Sequence, residues 1–328
     1  MTFKKFLWAA LLSQPAIFGS ASAQTSPYPS KPITIMVGYS AGGGVDTVTR
    51  LYATKLGDML KVPIVVENRP GGSELIAAMP VSQAKPDGYT LWRTTASSLA
   101  RAPGVRTDLP YDPLKQLTFI ARVARAEALY VVRNDLSVKS VSDLVAYAKA
   151  NPGKLNYGSA GVGSSNHLLA EQLKILTDTD MQHVPYKSDM EVARELVAGR
   201  IDFGMAVTPF SGPFVKEGRI RAIAITGNQR LQSLPDIPTL DEVGVAALKG
   251  LGPYLYYGLV GPANMPDDVV RTLNDAFNEV AALPDFRQKM ETLYFQPITG
   301  TPEAFRQLVT SDLAQWKEIG KTVKITTY

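Results

Sequence analysis

Cysteine is absent from the 328-residue chain, and histidine occurs only twice, at His167 and His183. Without a thiol there is no thiol nucleophile, no thiolate metal site, no disulfide and no cysteine for a lipid anchor. The two histidines make no His-x-x-x-His pair, and no acidic run has the spacing of a calcium loop, so neither a metal nor a cofactor is expected. Catalytic motifs are missing as well. A Gly-x-Ser-x-Gly elbow fails at Ser159, which has Tyr157 two places before it, and the dinucleotide pattern fails because Gly42-Gly-Gly44 reaches Thr47 and Gly161-Val-Gly163 reaches Asn166. No phosphate-loop Gly-Lys-Ser/Thr motif occurs. Nothing after the leader offers about 18 consecutive apolar residues, which excludes a later membrane span. No basic stripe interleaved with aromatics is present, which excludes a nucleic-acid partner. The absences together describe a protein that is not an enzyme.

The first residues read as an export signal. Lys4 and Lys5 form a positive start, Phe6 to Phe18 is apolar apart from Ser13-Gln14-Pro15, and Ala21-Ser22-Ala23 offers small residues for cleavage. The expected mature chain starts near Gln24 and is periplasmic. Removing Lys4 and Lys5 lowers the basic count from 34 to 32 against 30 acids, leaving a net charge of +2 rather than +4. A chain of this length buries a core large enough to do without disulfides and predicts about two domains.

Two glycine-rich stretches stand out. In Ile33-Thr-Ile-Met-Val-Gly-Tyr-Ser-Ala-Gly-Gly-Gly-Val-Asp46 an apolar strand runs into a glycine turn, and Asp46-Thr47 opens a helical pattern through Val48, Leu51, Tyr52 and Leu56. Leu155-Asn-Tyr-Gly-Ser-Ala-Gly-Val-Gly-Ser-Ser-Asn-His167 repeats that plan. Both contain a tyrosine and then Ser-Ala-Gly: Tyr39 to Gly42, and Tyr157 to Gly161. Amides in such a turn, together with the helix dipole, favour an anion. Two copies imply a cleft between two halves.

Each stretch opens a β-α-β-α-β unit. The first continues through a strand at Val62 to Glu67, a helix from Ser73 to Ala84 that Pro80 kinks or ends, and a strand at Tyr89 to Thr95. The second runs through Ser165 to Leu176, Met181 to Tyr186, Asp189 to Gly199 and Ile201 to Val207. This alternation implies parallel sheets with right-handed crossovers. Extended runs within Phe119 to Asn134 and at Ile220 to Thr226 are the crossings between units, and the helical tail from Pro266 packs back on the first. Near the clefts, Asp46 either caps its helix or orients the loop for a ligand, and His167 either donates to a ligand or caps. His183 lies within a strand as a structural residue. The hydroxyls of Thr94-Thr-Ala-Ser-Ser98 follow a strand end, where α/β sheets bind ligands. Tyr39, Trp92 and Phe210 either line a pocket or fill the core.

The ordered series Tyr28-Pro-Ser-Lys-Pro-Ile33, Gly42-Gly43 with Asp46, Val66-Glu-Asn-Arg-Pro-Gly71, Lys85-Pro-Asp-Gly-Tyr-Thr-Leu91, Leu109-Pro-Tyr-Asp-Pro113, Asn156-Tyr-Gly-Ser159 with Gly163-Ser164 and His167, His183-Val-Pro-Tyr-Lys187 and Leu234-Pro-Asp-Ile-Pro-Thr239 resembles the Bug (TctC-like) family, across essentially the whole mature chain. It departs at Ala41, where that family commonly has proline, and at Ser188, where it commonly has glycine.

The resemblance implies an α/β, two-lobed type II periplasmic binding protein fold, each lobe a mixed sheet flanked by helices. Lobe 1 would be residues 24–122 and 227–328, and lobe 2 residues 123–226, after a leader at 1–23. It implies a monomer that captures a small organic carboxylate, a dicarboxylate or an aromatic acid, for the membrane permease of a tripartite tricarboxylate transporter. Its implied ligand-binding residues are Tyr39, Ser40, Gly42, Gly43 and Asp46 in the first loop and Ser159, Ala160, Gly163, Ser164 and His167 in the second, with Thr95, Tyr186 and Asp202 beside them. Two competing classes are a secreted serine hydrolase using Ser159 or Ser164 with His167, and a ligand-sensing accessory of a membrane receptor.

Overall fold

In the computed structural model, residues 27–321 are described except Thr107, Asn228 and 249–254. The leader read from the sequence lies outside the described residues. Among the described residues, eleven strands make two sheets. In the first sheet, β1 (Ile33–Val37), β2 (Ile64–Asn68) and β3 (Thr90–Thr95) are parallel, with β1 in the middle. Antiparallel strands β4 (Leu117–Ala126), β10 (Leu255–Pro262) and β11 (Gln296–Pro297) extend it in the order β11-β4-β10-β3-β1-β2. The second sheet has order β7-β6-β8-β5-β9, built from β5 (Ala128–Arg133), β6 (Asn156–Ser159), β7 (Gln182–Pro185), β8 (Phe203–Val207) and β9 (Ile220–Ile225). Here β7, β6 and β8 are parallel, β5 runs against them, and β9 at the edge runs against β5. Parallel strand pairing lies within the β-α-β-α-β units, as their alternation implies. The strands that carry the chain between units enter antiparallel, so both sheets are mixed.

Helix α1 (Gly44–Leu60) follows β1 and buries Val45, Val48, Tyr52 and Leu56, one stripe at helical spacing. Helix α2 (Leu75–Ser82) contains Pro80 and continues two residues beyond it. After β3 come a π-helical turn (Ser97–Arg101) and two short helices, α3 (Ala102–Val105) and α4 (Pro113–Gln116). The second sheet carries α5 (Val141–Ala150), α6 (Ser165–Thr177), α7 (Asp189–Val197) and α8 (Thr208–Lys216). The tail helices α9 (Asp267–Ala282), α10 (Pro284–Thr292) and α11 (Pro302–Gly320) return to the first sheet. Asn274 of α9 donates to the Ile120 carbonyl at 2.8 Å, and Tyr52 stacks on Phe277 with ring centres 5.1 Å apart. Phe305 of α11 lies so close over β10 that a Cβ on Gly258 would stand 2.1 Å from its ring, which only glycine permits. No helix among the described residues is long and apolar enough to cross a membrane.

The chain changes sheet at Glu127, beyond the 122/123 boundary read from the sequence, because Ala124, Arg125 and Ala126 still pair with β10. The return crossing follows β9, and the two are tied together: Ala128 N–H donates to Thr226 Oγ1 at 2.8 Å, and Thr226 N–H donates to the Ala128 carbonyl at 2.9 Å. Both glycine loops leave the C-terminal ends of their parallel strands, where such sheets bind ligands.

Candidate functional site

Loop 1 (38–43) joins β1 to α1, and loop 2 (160–164) joins β6 to α6. The first amides of a helix have no intrahelical acceptor. Those of Gly44 and Val45 in α1, and of Ser165 and Asn166 in α6, find none among the described residues. Each of these regions touches an element that belongs with the other sheet. Ser97 Oγ, in the π-turn after β3, donates to the Gly163 carbonyl at 2.9 Å, and a Cβ on Gly44 would stand 3.0 Å from the Phe210 ring of α8.

Behind loop 1 lie two carboxyls. Asp46, only 2 % exposed, accepts from Gly42 N–H at 2.8 Å, from Asn68 Nδ2 at 2.9 Å and from Arg50 Nε at 3.0 Å. Burial pushes this carboxyl up, but the bonds from Arg50, Gly42 and Asn68 outweigh it and hold it below the usual range. Asp46 is thus a latch that fixes the turn, with its oxygens committed to the protein. The second carboxyl, Glu74, was not among the residues singled out from the sequence. Its Oε1 receives the hydroxyls of Thr95 at 2.5 Å, Ser98 at 2.5 Å and Tyr39 at 3.2 Å. Burial pushes Glu74 up to about 7 against those three bonds and the charge of Arg93.

Loop 2 rests on neutral rings. Tyr157, on β6, stacks on His183 at 5.0 Å, and His183 lies 4.1 Å from His167 between ring centres. Burial holds both histidines below their ordinary pKa, His183 at about 4 with help from its neighbour His167. His167 Nδ1 accepts from Gly163 N–H at 3.2 Å. Ser159 Oγ lies 2.6 Å from His183 Nε2 and accepts from Gly161 N–H at 3.1 Å. Asn166 Oδ1 accepts from Ala160 N–H at 3.2 Å, while its Nδ2 donates to Asp189 Oδ1 at 2.9 Å. Burial pushes Asp189 up to about 6. Ser159, one of the two serines that the competing hydrolase class would pair with His167, pairs with His183 instead and is fully buried. It shapes the loop and cannot reach a substrate.

The structure therefore brings Tyr39 and Thr95 together through Glu74, and gathers Ser159, Ala160, Gly163, Ser164 and His167 into loop 2, with Ser164 accepting the His167 N–H at the helix start. Ser40 is exposed, and Gly42 and Gly43 stand in the open turn. Asp202 is elsewhere. It precedes β8, bonds Arg133 Nε at 2.8 Å and Asn156 N–H at 2.9 Å, and so sits at the end of the sheet opposite loop 2. The Tyr186 ring packs with Val192 and Ile201 on the second sheet, although its N–H donates to the Ser159 carbonyl at 2.8 Å. Trp92 is fully buried core, edge-on to Tyr111. Beyond Glu74, sequence reasoning missed Asn166 and Asp189, two polar residues in the first turns of helices α6 and α7.

The family model for the tripartite tricarboxylate transporter family receptor (TctC) matches residues 48–325. A UPF0065 protein in the gbd 5' region of Cupriavidus necator is 33% identical over 299 residues, which is 91% of this chain and 89% of that one. A Rhodopseudomonas palustris protein solved with adipate is similar with a TM-score of 0.83 at 31% identity, covering 90% of this chain and 98% of that one. MatC from the same organism, with bound malate, gives 0.82 at 27% identity, covering 89% and 100%. The chain belongs to the tripartite tricarboxylate transporter receptor (TctC/Bug) family, whose members are periplasmic solute-binding proteins and not enzymes.

Proposed function

We propose that this protein captures an organic carboxylate between its two loops in the periplasm and delivers it to a tripartite tricarboxylate-type permease. The observation that carries this reading is a pair of helix starts with open amides, at Gly44-Val45 and Ser165-Asn166, each beside a contact to the other sheet's elements, Gly44 to Phe210 and Gly163 to Ser97. Unbonded helix-start amides and the helix dipoles both favour a carboxylate. The adipate and malate bound by two similar proteins support that ligand class. The chain divides into two lobes, one per sheet, with the second inserted in the first, and the paired crossings at Glu127 and Thr226 form the hinge. A ligand touching both loops stabilises the closed form through contacts the open form lacks. The proposed site comprises Tyr39, Gly42, Gly43 and Thr95 facing Ala160, Gly163 and Ser164, with Asp46, Ser159 and His167 holding the loops in shape.

The test is thermal unfolding of the mature chain, residues 24–328, against mono-, di-, tri- and aromatic carboxylates after co-purified ligand has been removed by unfolding and refolding. A ligand at about a thousand times its dissociation constant adds roughly 4 kcal/mol. Replacing Ser97 by Ala removes the cross-cleft bond and should weaken that ligand by about 2- to 10-fold. A flat response to every carboxylate would sink the proposal.

A further inference from the structure

Glu74 has the left-handed backbone, φ 75°, that side chains rarely adopt, and this turns its carboxyl back beneath loop 1. The packing there is tight, since a Cβ on Gly38 would stand 2.6 Å from Glu74 Cγ. The residue is 2 % exposed, and its Oε2 is buried without a hydrogen-bond partner. A hydroxyl carries one proton. Tyr39, Thr95 and Ser98 direct theirs to Glu74 Oε1, so the hydroxyls at the end of the first sheet have none to offer an anion. The wall beside loop 1 accepts hydrogen bonds where a second carboxylate would need donors.

The opposite wall adds another acceptor. Asp189, at the start of α7, stands beside loop 2, where its Oδ1 accepts from Asn166 Nδ2 at 2.9 Å, and its charge acts on the Tyr39 hydroxyl less strongly than that of Glu74. A cation near Glu74 is the buried Arg93, whose Nη1 donates to the Thr94 carbonyl at 3.0 Å, whose Nε and Nη2 have no hydrogen-bond partner among the described residues, and whose guanidinium lies 5.1 Å from the centre of the Tyr257 ring. Among the described residues Arg93 makes no hydrogen bond to Glu74, so the Oε2 acceptor stays open.

We propose that Glu74, with Asp189 across the cleft, makes the protein selective for a carboxylate that also carries an N–H donor, a protonated amine, with the carboxylate at the helix-start amides and the amine at Glu74 Oε2. This rests on the carboxylate reading of the same cleft and names the ligand class within it. Glu74 and Asp189 are then the residues that tell an amino acid from the corresponding plain acid.

The test is calorimetric titration of the ligand-free mature protein at pH 8 with matched pairs: L-aspartate and succinate, L-glutamate and glutarate, γ-aminobutyrate and butyrate. In at least one pair the amino member should bind about 10- to 100-fold more tightly, the range for a hydrogen bond to a charged group. Glu74→Gln should bring that ratio close to one. Glu74→Gly suits the left-handed backbone and frees the three hydroxyl protons, so it should shift preference toward the plain diacid. Equal or tighter binding of the plain acids by the unaltered protein overturns the inference while leaving carboxylate capture intact. A preference that survives both substitutions also overturns it, and no binding by any member overturns it too, leaving carboxylate capture to the wider acid panel.

Discussion

Tyr39 and Tyr157 each come just before a Ser-Ala-Gly turn, yet Tyr39 is half-buried and reaches Glu74, whereas Tyr157 is fully buried and stacks on His183. The cause is one glycine. Gly158 separates Tyr157 from Ser159, and residues two apart on a strand point to the same face, so both join His183 inside the second sheet. Tyr39 and Ser40 are adjacent and outside the strand, and Ser40 ends in solvent. Loop 1 is consequently held by carboxyls, Asp46 and Glu74, and loop 2 by neutral rings and an asparagine. Similar letters give one cleft two chemically different walls.

The largest expected effect separates the two tyrosines. Tyr157→Ala removes a buried ring from the His183 stack and should cost about 3–5 kcal/mol, the range for a buried aromatic cut to alanine. Tyr39→Ala should cost about 1 kcal/mol, since it removes a half-buried ring and one hydrogen bond, and should act mainly on ligand affinity. Urea unfolding of both variants checks this, and equal losses would mean that loop 1 is built on a core as loop 2 is.

The pH response should differ in sign between the walls. Folding lowers His183 from an ordinary value near 6.5 to about 4, so between these values the unfolded chain binds the extra proton and stability rises with pH. Glu74 goes the other way. Folding raises it from roughly 4.3 to about 7, so its contribution is present below the lower value and is lost as pH climbs toward the upper one. Asp189, raised to about 6, adds to the Glu74 trend. Each trend is on the order of 2 kcal/mol, and in the intact protein the two signs oppose one another between about pH 4.5 and 6.5. Unfolding midpoints across that window should rise more steeply with pH in Glu74→Gln and fall with pH in His183→Gln. Parallel curves for the two variants would break the comparison.

Most of the fold was legible because strand and helix periods are strong local signals: β1, α1, β6 and α6 fall where the apolar spacing puts them. Both loops were visible as glycine turns for the same reason. Glu74 was not, because it lies in Gly71-Gly72-Ser73-Glu74, a plain turn by composition, and only the left-handed backbone brings its carboxyl under the Tyr39 hydroxyl from a distant part of the chain. Asp202 was misjudged over strand direction. It precedes β8, and in a parallel sheet the residue before a strand lies at the end away from the ligand. The sheet change at Glu127 was missed because β4 is ten residues long and no glycine or proline interrupts it, so nothing in its pattern marks where pairing with β10 stops.

The smallest effects concern the two serines. Ser159→Ala deletes the hydroxyl that accepts the Gly161 N–H and bonds His183 Nε2, and leaves both groups unpaired in a buried place. A lost buried partner costs about 1–3 kcal/mol. Ser40 is exposed, and the bond that closes its turn, from Gly43 N–H, goes to its backbone carbonyl, which alanine also supplies. Ser40→Ala should therefore stay within about 0.5 kcal/mol of the starting protein. Unfolding midpoints of the ligand-free variants read the difference directly. A large loss at Ser40, or none at Ser159, would show that the serine shared by the two loops does the same work in both, and that the asymmetry of the walls begins at Glu74 rather than at Gly158.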